Sequence, residues 1–118
     1  MRRILVIESD QQFRKLLTEL LASDFRVTVF DDEQTAHRFL LVNTVDLTLY
    51  DVGRKETTQI EFFINQFVSA QQGRFKWIAL SGEPKKLQAL QGNLSATHVK
   101  GQDRIEDLIN RIHSVLDG

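Results

Sequence analysis

The sequence contains no cysteine, which excludes disulfide bonds, thiol catalysis and zinc–thiolate sites and is consistent with a reducing cytosol. It has little excess charge: 15 Lys and Arg residues against 16 Asp and Glu residues leave a net charge of −1. No apolar run approaches the ~20 residues that cross a bilayer, and the four apolar residues at 4–7 are too few for a signal peptide. We therefore expect a cytoplasmic protein that binds neither nucleic acid nor a membrane directly.

Short apolar segments alternate along the chain with stretches of helical periodicity. The 118 residues, 42% of them hydrophobic, suffice for one domain (1–118) with a buried core. Alternation of strands and helices indicates an α/β fold with a parallel sheet and helices on both faces. The predicted strands are 4–7, 25–30, 45–50, 75–80 and 96–99.

Two of the predicted helix starts carry the spacing of a capping box. One pairs Ser9 with Gln12 and the other pairs Thr58 with Glu61. Asp10 is a second candidate cap for the first of these helices. We expect the apolar stripe of that helix to face the core, and the stripe comprises Phe13, Leu16, Leu17, Leu20 and Leu21.

Polar residues follow four of the predicted strands. They are Glu8, Ser9 and Asp10 after the first strand, Asp51 after the third, Ser81 after the fourth and Lys100 after the fifth. Ligands of open parallel sheets bind beyond the carboxyl ends of the strands, so we expect these side chains to share one site. A single residue of this kind is usually a turn or cap residue, but the set indicates a function.

The set is suited to phosphoryl transfer onto a carboxylate. Asp51 would attack phosphorus, Lys100 would place a positive charge on a phosphoryl oxygen, and Ser81 would donate a hydrogen bond to another. A magnesium ion would offset the negative charge that builds up between nucleophile and phosphoryl group. Its candidate ligands are Glu8, Asp51 and the backbone carbonyl of Gly53.

These stretches resemble the receiver domain of two-component response regulators, of the kind that acts in chemotaxis. The resemblance rests on ILVIESD, on VDLTLYD ending at Asp51, on IALSG with Ser81 and on HVKG with Lys100. It implies a flavodoxin-like, doubly wound fold with strand order 2-1-3-4-5. It also implies a phosphoacceptor at Asp51, phosphoryl contacts from Ser81 and Lys100, a magnesium-binding acidic pair at Glu8 and Ser9, and a histidine kinase or phosphotransfer protein as donor.

The sequence also departs from the family pattern. Ser9 is neutral where the family has a second acid, which weakens the expected metal site. Gly101 follows the lysine in place of proline, and Thr97 stands where the family has the aromatic residue of its switch, so the expected switch pair is Ser81 and Thr97. Arg54 and Lys55 lie near Asp51 in sequence, which raises the hypothesis that their charge partly replaces magnesium.

Three functions compete at this point. The first is a signal receiver that acts through the face formed by the fourth helix, fifth strand and fifth helix, which would contact an effector or a second copy. The second is a receiver-like module that binds partners or dimerises without phosphorylation. The third, an aspartyl phosphohydrolase, is disfavoured because Gly53 stands where the general acid would be, so we expect no enzyme. The expected face includes Lys86, Gln88, Gln91, His98, Arg104, Asn110 and Arg111.

Overall fold

The computed structural model describes residues 1–90 and 94–118. Within them, five strands form one parallel sheet in the order β2-β1-β3-β4-β5, and helices connect the strands. This confirms the predicted fold class and strand order. None of the helices in the described part is long and apolar enough to cross a membrane. The elements are β1 Arg3–Ile7, α1 Gln11–Leu21, β2 Arg26–Phe30, α2 Glu33–Val42, β3 Leu47–Asp51, α3 Thr57–Ala70, β4 Trp77–Ser81, α4 Pro84–Gln88, β5 Leu94–Val99 and α5 Ile105–Asp117.

The sheet is buried between two apolar layers. On one face Tyr50, Trp77 and Phe67 pack with residues of α2, α3 and α4. On the other face Leu49 and Ile78 pack with residues of α1 and α5. Because helices cover both faces, the central strands are buried along most of their length and most of their residues are apolar, the buried Thr48 of β3 being an exception.

Both predicted capping boxes are wrong by one or two residues. The cap of α1 is Asp10, whose carboxylate accepts the backbone N–H groups of Gln12 and Phe13 at 2.9 and 3.3 Å, while Ser9 is exposed. Asp10 was the alternative cap. The cap of α3 is Glu56, whose backbone N–H donates to the Gln59 side chain at 3.1 Å. Either spacing satisfies the capping rule, so only the path of the chain selects between them.

The predicted stripe of α1 is wider than the surface it buries. Leu17 and Leu21 are buried, whereas Leu16 and Leu20 are 41% and 42% exposed. Successive residues are about 100° apart around a helix, so one edge of the stripe turns to solvent when the helix packs on a single sheet. The inward position of Leu16 and Leu20 was therefore predicted wrongly.

The side-chain amide of Gln71 is buried at one end of the layer formed by α2 and α3. This end is opposite the strand ends that carry the polar residues. The Gln71 side chain accepts the backbone N–H of Val45 at 3.1 Å. It donates to the backbone carbonyls of Leu40 and Asn43 at 2.7 and 2.8 Å. One side chain thus satisfies three main-chain groups of the α2–β3 connection, which fixes where β3 begins.

Replacing Gln71 with alanine should destabilise the protein markedly. The substitution leaves buried main-chain donors and acceptors unpaired, and we expect a loss of roughly 2–4 kcal/mol in the free energy of unfolding. Urea unfolding followed by circular dichroism measures this. The matched control is Asn65→Ala, at an exposed position of α3, the helix that ends just before Gln71, and it should change stability by less than about 0.5 kcal/mol. Equal effects from the two variants would contradict the proposed role of the Gln71 amide.

Candidate functional site

The charged residues predicted from the strand ends come together at one edge of the sheet. Glu8 follows β1, Asp51 is the last residue of β3, and Lys100 follows β5. The Lys100 Nζ lies 2.6 Å from Glu8 Oε1 and 3.6 Å from Asp51 Oδ2. Ser81 ends β4 beside them, and its carbonyl accepts the Lys100 backbone N–H at 2.8 Å. The arrangement is a pocket with two carboxylates, one ammonium and a neighbouring hydroxyl.

Glu8 is the most deeply buried acid of this pocket, with 1% of its surface exposed. Its Oε2 accepts the Asp10 backbone N–H at 3.2 Å, and its main-chain carbonyl accepts a hydrogen bond from the Arg14 guanidinium at 2.8 Å. Burial raises the pKa of Glu8 to about 7, and the neighbouring Asp51 carboxylate also raises it. The Lys100 ammonium lowers this pKa, but burial outweighs it. Glu8 is therefore poised between its charged and neutral forms near neutral pH.

Lys100 is held by more than its two acidic neighbours. Its Nζ lies 4.7 Å from the centre of the Phe13 ring, which is the distance of a cation–π contact. The sequence marked Phe13 as a core residue and gave Arg14 no role. Their place beside the pocket follows from the packing of α1 against the end of the sheet. The only sequence signal was their position in the first turn after the acidic segment.

Asp51 connects the pocket to the turn that follows β3. Its Oδ1 accepts the Gly53 backbone N–H at 3.1 Å, and Oδ2 faces Lys100. Gly53 has φ +57, a left-handed conformation that glycine adopts without a steric cost. The Asp51 side chain is 11% exposed, so the carboxylate can be reached from solvent while its orientation is fixed by the turn.

The two expected switch residues, Ser81 and Thr97, lie in different environments. Ser81 is buried, and its Oγ accepts the Glu83 backbone N–H at 3.0 Å, which leaves the hydroxyl proton free to donate. Thr97 lies half-buried in β5, paired with Ala79 of β4. Gly101 has φ +80, so the chain turns directly after Lys100.

The pocket contains oxygen atoms of the kind that magnesium binds, but only two of the candidate ligands are charged. In residues 1–90 and 94–118 no group of three or more acidic or histidine side chains forms a metal cluster. Glu8 and Asp51 are the two carboxylates that could hold such an ion, and Gly53, the third expected ligand, lies on the adjoining turn. Magnesium requires only one or two carboxylates because it retains several water molecules. Ser9 is exposed and adds no charge.

Lys55 points away from the pocket. Its Nζ lies 2.7 Å from Glu33 Oε2, and the same oxygen accepts the Tyr50 hydroxyl at 2.9 Å. Arg54 is exposed. This geometry gives no support to the hypothesis that Lys55 partly replaces magnesium, because its ammonium is already paired with an acid of α2.

The expected partner face needs a correction at His98. We expected it on the surface, but it is 1% exposed and lies under Arg111, whose guanidinium is 3.5 Å from the ring and 3.0 Å from Asp103. Burial lowers the pKa of His98. Lys86 is half-buried, and Gln91 lies outside the described residues. The members that are exposed are Gln88, Arg104 and Asn110.

The ionisation of Glu8 should make stability depend on pH. Since the pKa of Glu8 is raised in the folded protein above its ordinary value of 4.5, its stabilising contribution is fully present below about pH 4.5 and is lost as pH rises through about 7. Carboxyl carbon NMR should show one glutamate titrating near pH 7. In Glu8→Gln this titration should vanish, and the decline in stability between pH 5 and 8 should become shallower. An unchanged decline would contradict the assignment to Glu8.

The sequence matches no family model, and no curated protein is significantly similar to it. Solved structures do match its fold. A response regulator of Thermotoga maritima, in complex with Mg2+ and BeF, superimposes with a TM-score of 0.80 at 19% identity, covering 98% of this chain and 100% of that one. The non-phosphorylated HemR receiver domain of Leptospira biflexa gives 0.80 at 20% identity, with coverage of 100% and 96%.

A third structure extends this likeness. The CheY-like response regulator receiver domain of Methylobacillus flagellatus gives a TM-score of 0.77 at 18% identity, and the alignment covers 98% of both chains. Similarity over nearly the whole length of these domains agrees with the strand order of the sheet. The chain has the fold of the response-regulator receiver domains.

Proposed function

We propose that this chain is a cytoplasmic signal receiver in a two-component phosphorelay and accepts a phosphoryl group on Asp51. The observation that supports this most directly is the Lys100 ammonium lying between the Glu8 and Asp51 carboxylates at the carboxyl edge of the sheet. The Asp51 side chain is partly open to solvent, so a donor can reach it. The donor would be the phosphohistidine of a kinase or of a phosphotransfer protein.

In the proposed reaction an Asp51 carboxylate oxygen attacks phosphorus. A bond forms from this oxygen to phosphorus while the bond from phosphorus to the donor imidazole nitrogen breaks, and the electron pair stays on that nitrogen. Lys100 stabilises a phosphoryl oxygen electrostatically, and the Ser81 hydroxyl can donate to another. The Gly53 N–H keeps the second carboxylate oxygen in place during the attack.

The oxygen ligands of this pocket suit magnesium as the cofactor. When bound, it offsets the negative charge shared by the carboxylates and the phosphoryl group. Glu8, Asp51 and the Gly53 carbonyl would hold it. The ion pair between Lys100 and Glu8 competes for the same carboxylate, and Ser9 contributes no charge, so this chain would hold the metal weakly.

The proposed output is a change in binding, without catalytic turnover of a substrate. Phosphorylation of Asp51 would shift a two-state equilibrium at the surface formed by α4, β5 and α5. Except for Pro84, the exposed residues of α4, β5 and α5 are polar or charged, which suits contact with an effector protein or with a second copy of the chain. A module that binds its partner without phosphorylation is the alternative, and the first experiment below separates the two.

A small phosphodonor with magnesium should add one phosphoryl group to the wild-type chain and none to Asp51→Asn. Lys100→Ala should slow the labelling about 10-fold or more, because it removes the charge that faces the phosphoryl oxygens. Intact-mass spectrometry measures the modification. The matched control Lys85→Ala removes an exposed lysine of α4 and should label at the wild-type rate. If the mass does not increase and beryllofluoride with magnesium causes no spectral change, the proposal fails. The phosphorylation-independent module is then the function that remains.

Restoring the second acid should strengthen the metal site. We expect Ser9→Asp to raise the affinity for magnesium about 10-fold, because a carboxylate is a far better ligand for this ion than a hydroxyl. Glu8→Gln should lower the affinity. Titration of magnesium followed by amide NMR tests both. The control is Ser95→Asp, an exposed serine on β5, which should leave the affinity unchanged. An affinity of Ser9→Asp equal to the wild type would place position 9 outside the metal site.

A further inference from the structure

The turn that follows Asp51 is closed by its own main chain. The Lys55 backbone N–H donates to the Val52 carbonyl at 3.2 Å, and the Gly53 N–H donates to Asp51 Oδ1 at 3.1 Å. The turn therefore binds the phosphoacceptor carboxylate directly. Any change in the charge or position of that carboxylate acts on these few residues first.

The side chain of Lys55 ties the turn to α2. Its Nζ binds Glu33 at 2.7 Å, and Glu33 also accepts the hydroxyl of Tyr50, the neighbour of Asp51 in β3. The Glu33 side chain is 14% exposed, so this ion pair is partly shielded from solvent. Such pairs restrict geometry more than fully exposed ones do. The turn is thus fixed on the side of α2 and β3.

A lysine of α4 holds the same turn from the other side. The Lys86 Nζ donates to the backbone carbonyl of Lys55 at 2.7 Å. This is a short, charge-assisted hydrogen bond between two segments 31 residues apart in sequence. The helix that carries Lys86 is only five residues long and is anchored by the buried Leu87. A short helix with one buried anchor can shift when a bond at its side is changed.

We propose that Lys86 couples the turn after Asp51 to α4 and so carries the state of the phosphoacceptor to the partner face. The inference deepens the proposed function and rests on it for the meaning of a change at Asp51. The coupling between turn and helix stands on the contacts alone. It acts in both directions, so a disturbance at Glu33 reaches α4, and removing Lys86 loosens the turn.

The first test uses the free protein and needs no phosphorylation. In Lys86→Met, hydrogen exchange of the Lys55 amide should quicken about 2- to 10-fold, the effect of losing one net hydrogen bond. Lys85→Met removes the neighbouring exposed lysine of the same helix and should leave this amide unchanged. Lys86→Arg keeps a charged donor and should retain most of the protection. Equal exchange in Lys86→Met and Lys85→Met would overturn the proposal.

The second test asks whether the signal passes through Lys86. Glu33→Gln weakens the ion pair with the Lys55 side chain. We expect this to shift the amide NMR signals of Lys85 to Ala89. The same substitution made in a Lys86→Met background should shift those signals by less than half as much. Equal shifts in both backgrounds would show that α4 responds by another route and would overturn the proposal.

The third measurement connects the coupling to phosphorylation. Beryllofluoride with magnesium should shift amide signals at Asp51 and in α4 of the wild type, and in Lys86→Met the shift at Asp51 should remain while that in α4 falls by at least half. Undiminished shifts in α4 would count against Lys86. If the wild type shows no response at Asp51, the proposed function fails, and the first two tests still decide whether Lys86 couples the turn to α4.

Discussion

The pocket depends on one lysine whose ammonium faces two carboxylates at the edge of a buried sheet. Glu8 follows β1 and Asp51 ends β3, which is the neighbour of β1 in the sheet, so the two carboxylates lie close together, Glu8 buried and Asp51 partly exposed. Lys100 comes from β5, which β4 and β3 separate from β1. Only a long, flexible side chain can bring a cation back across that distance. Without this cation the two carboxylates would repel each other at the carboxyl edge of the sheet.

The same lysine sets the electrostatic character of the site. Its ammonium is closer to Glu8 than to Asp51, at 2.6 against 3.6 Å, although Asp51 is the proposed nucleophile. The acid with the shorter contact is also the more deeply buried one, and burial raises its pKa in spite of the ion pair. The electrostatic cost of burying an acid therefore falls mainly on Glu8. The Asp51 carboxylate faces both solvent and the turn at Gly53. A serine at position 9 fits this balance, since another acid would add further negative charge.

Much of the architecture was predictable because it follows from pattern. The apolar strands, the alternation with helices and the polar residue at each strand end predicted the fold class, the parallel sheet and the edge where the pocket lies. The details that failed are those in which several local solutions are equally good. Ser9 and Asp10 both satisfy the rules for a helix cap, and Leu16 and Leu17 both satisfy the rules for an apolar stripe. His98 was expected on the surface because nothing in its local sequence shows that Arg111 covers it.

The sequence by itself determined which residues stand at the strand ends, since hydrophobicity and strand propensity are properties of short segments. It could therefore predict Glu8, Asp51, Ser81 and Lys100 as one group. Only the tertiary structure decided what each of them touches. Groups distant along the chain, such as the Lys86 side chain and the Lys55 backbone carbonyl, meet because the packed elements bring them to the same edge. Contacts of that kind depend on distances of a few ångströms between elements, which no local pattern encodes.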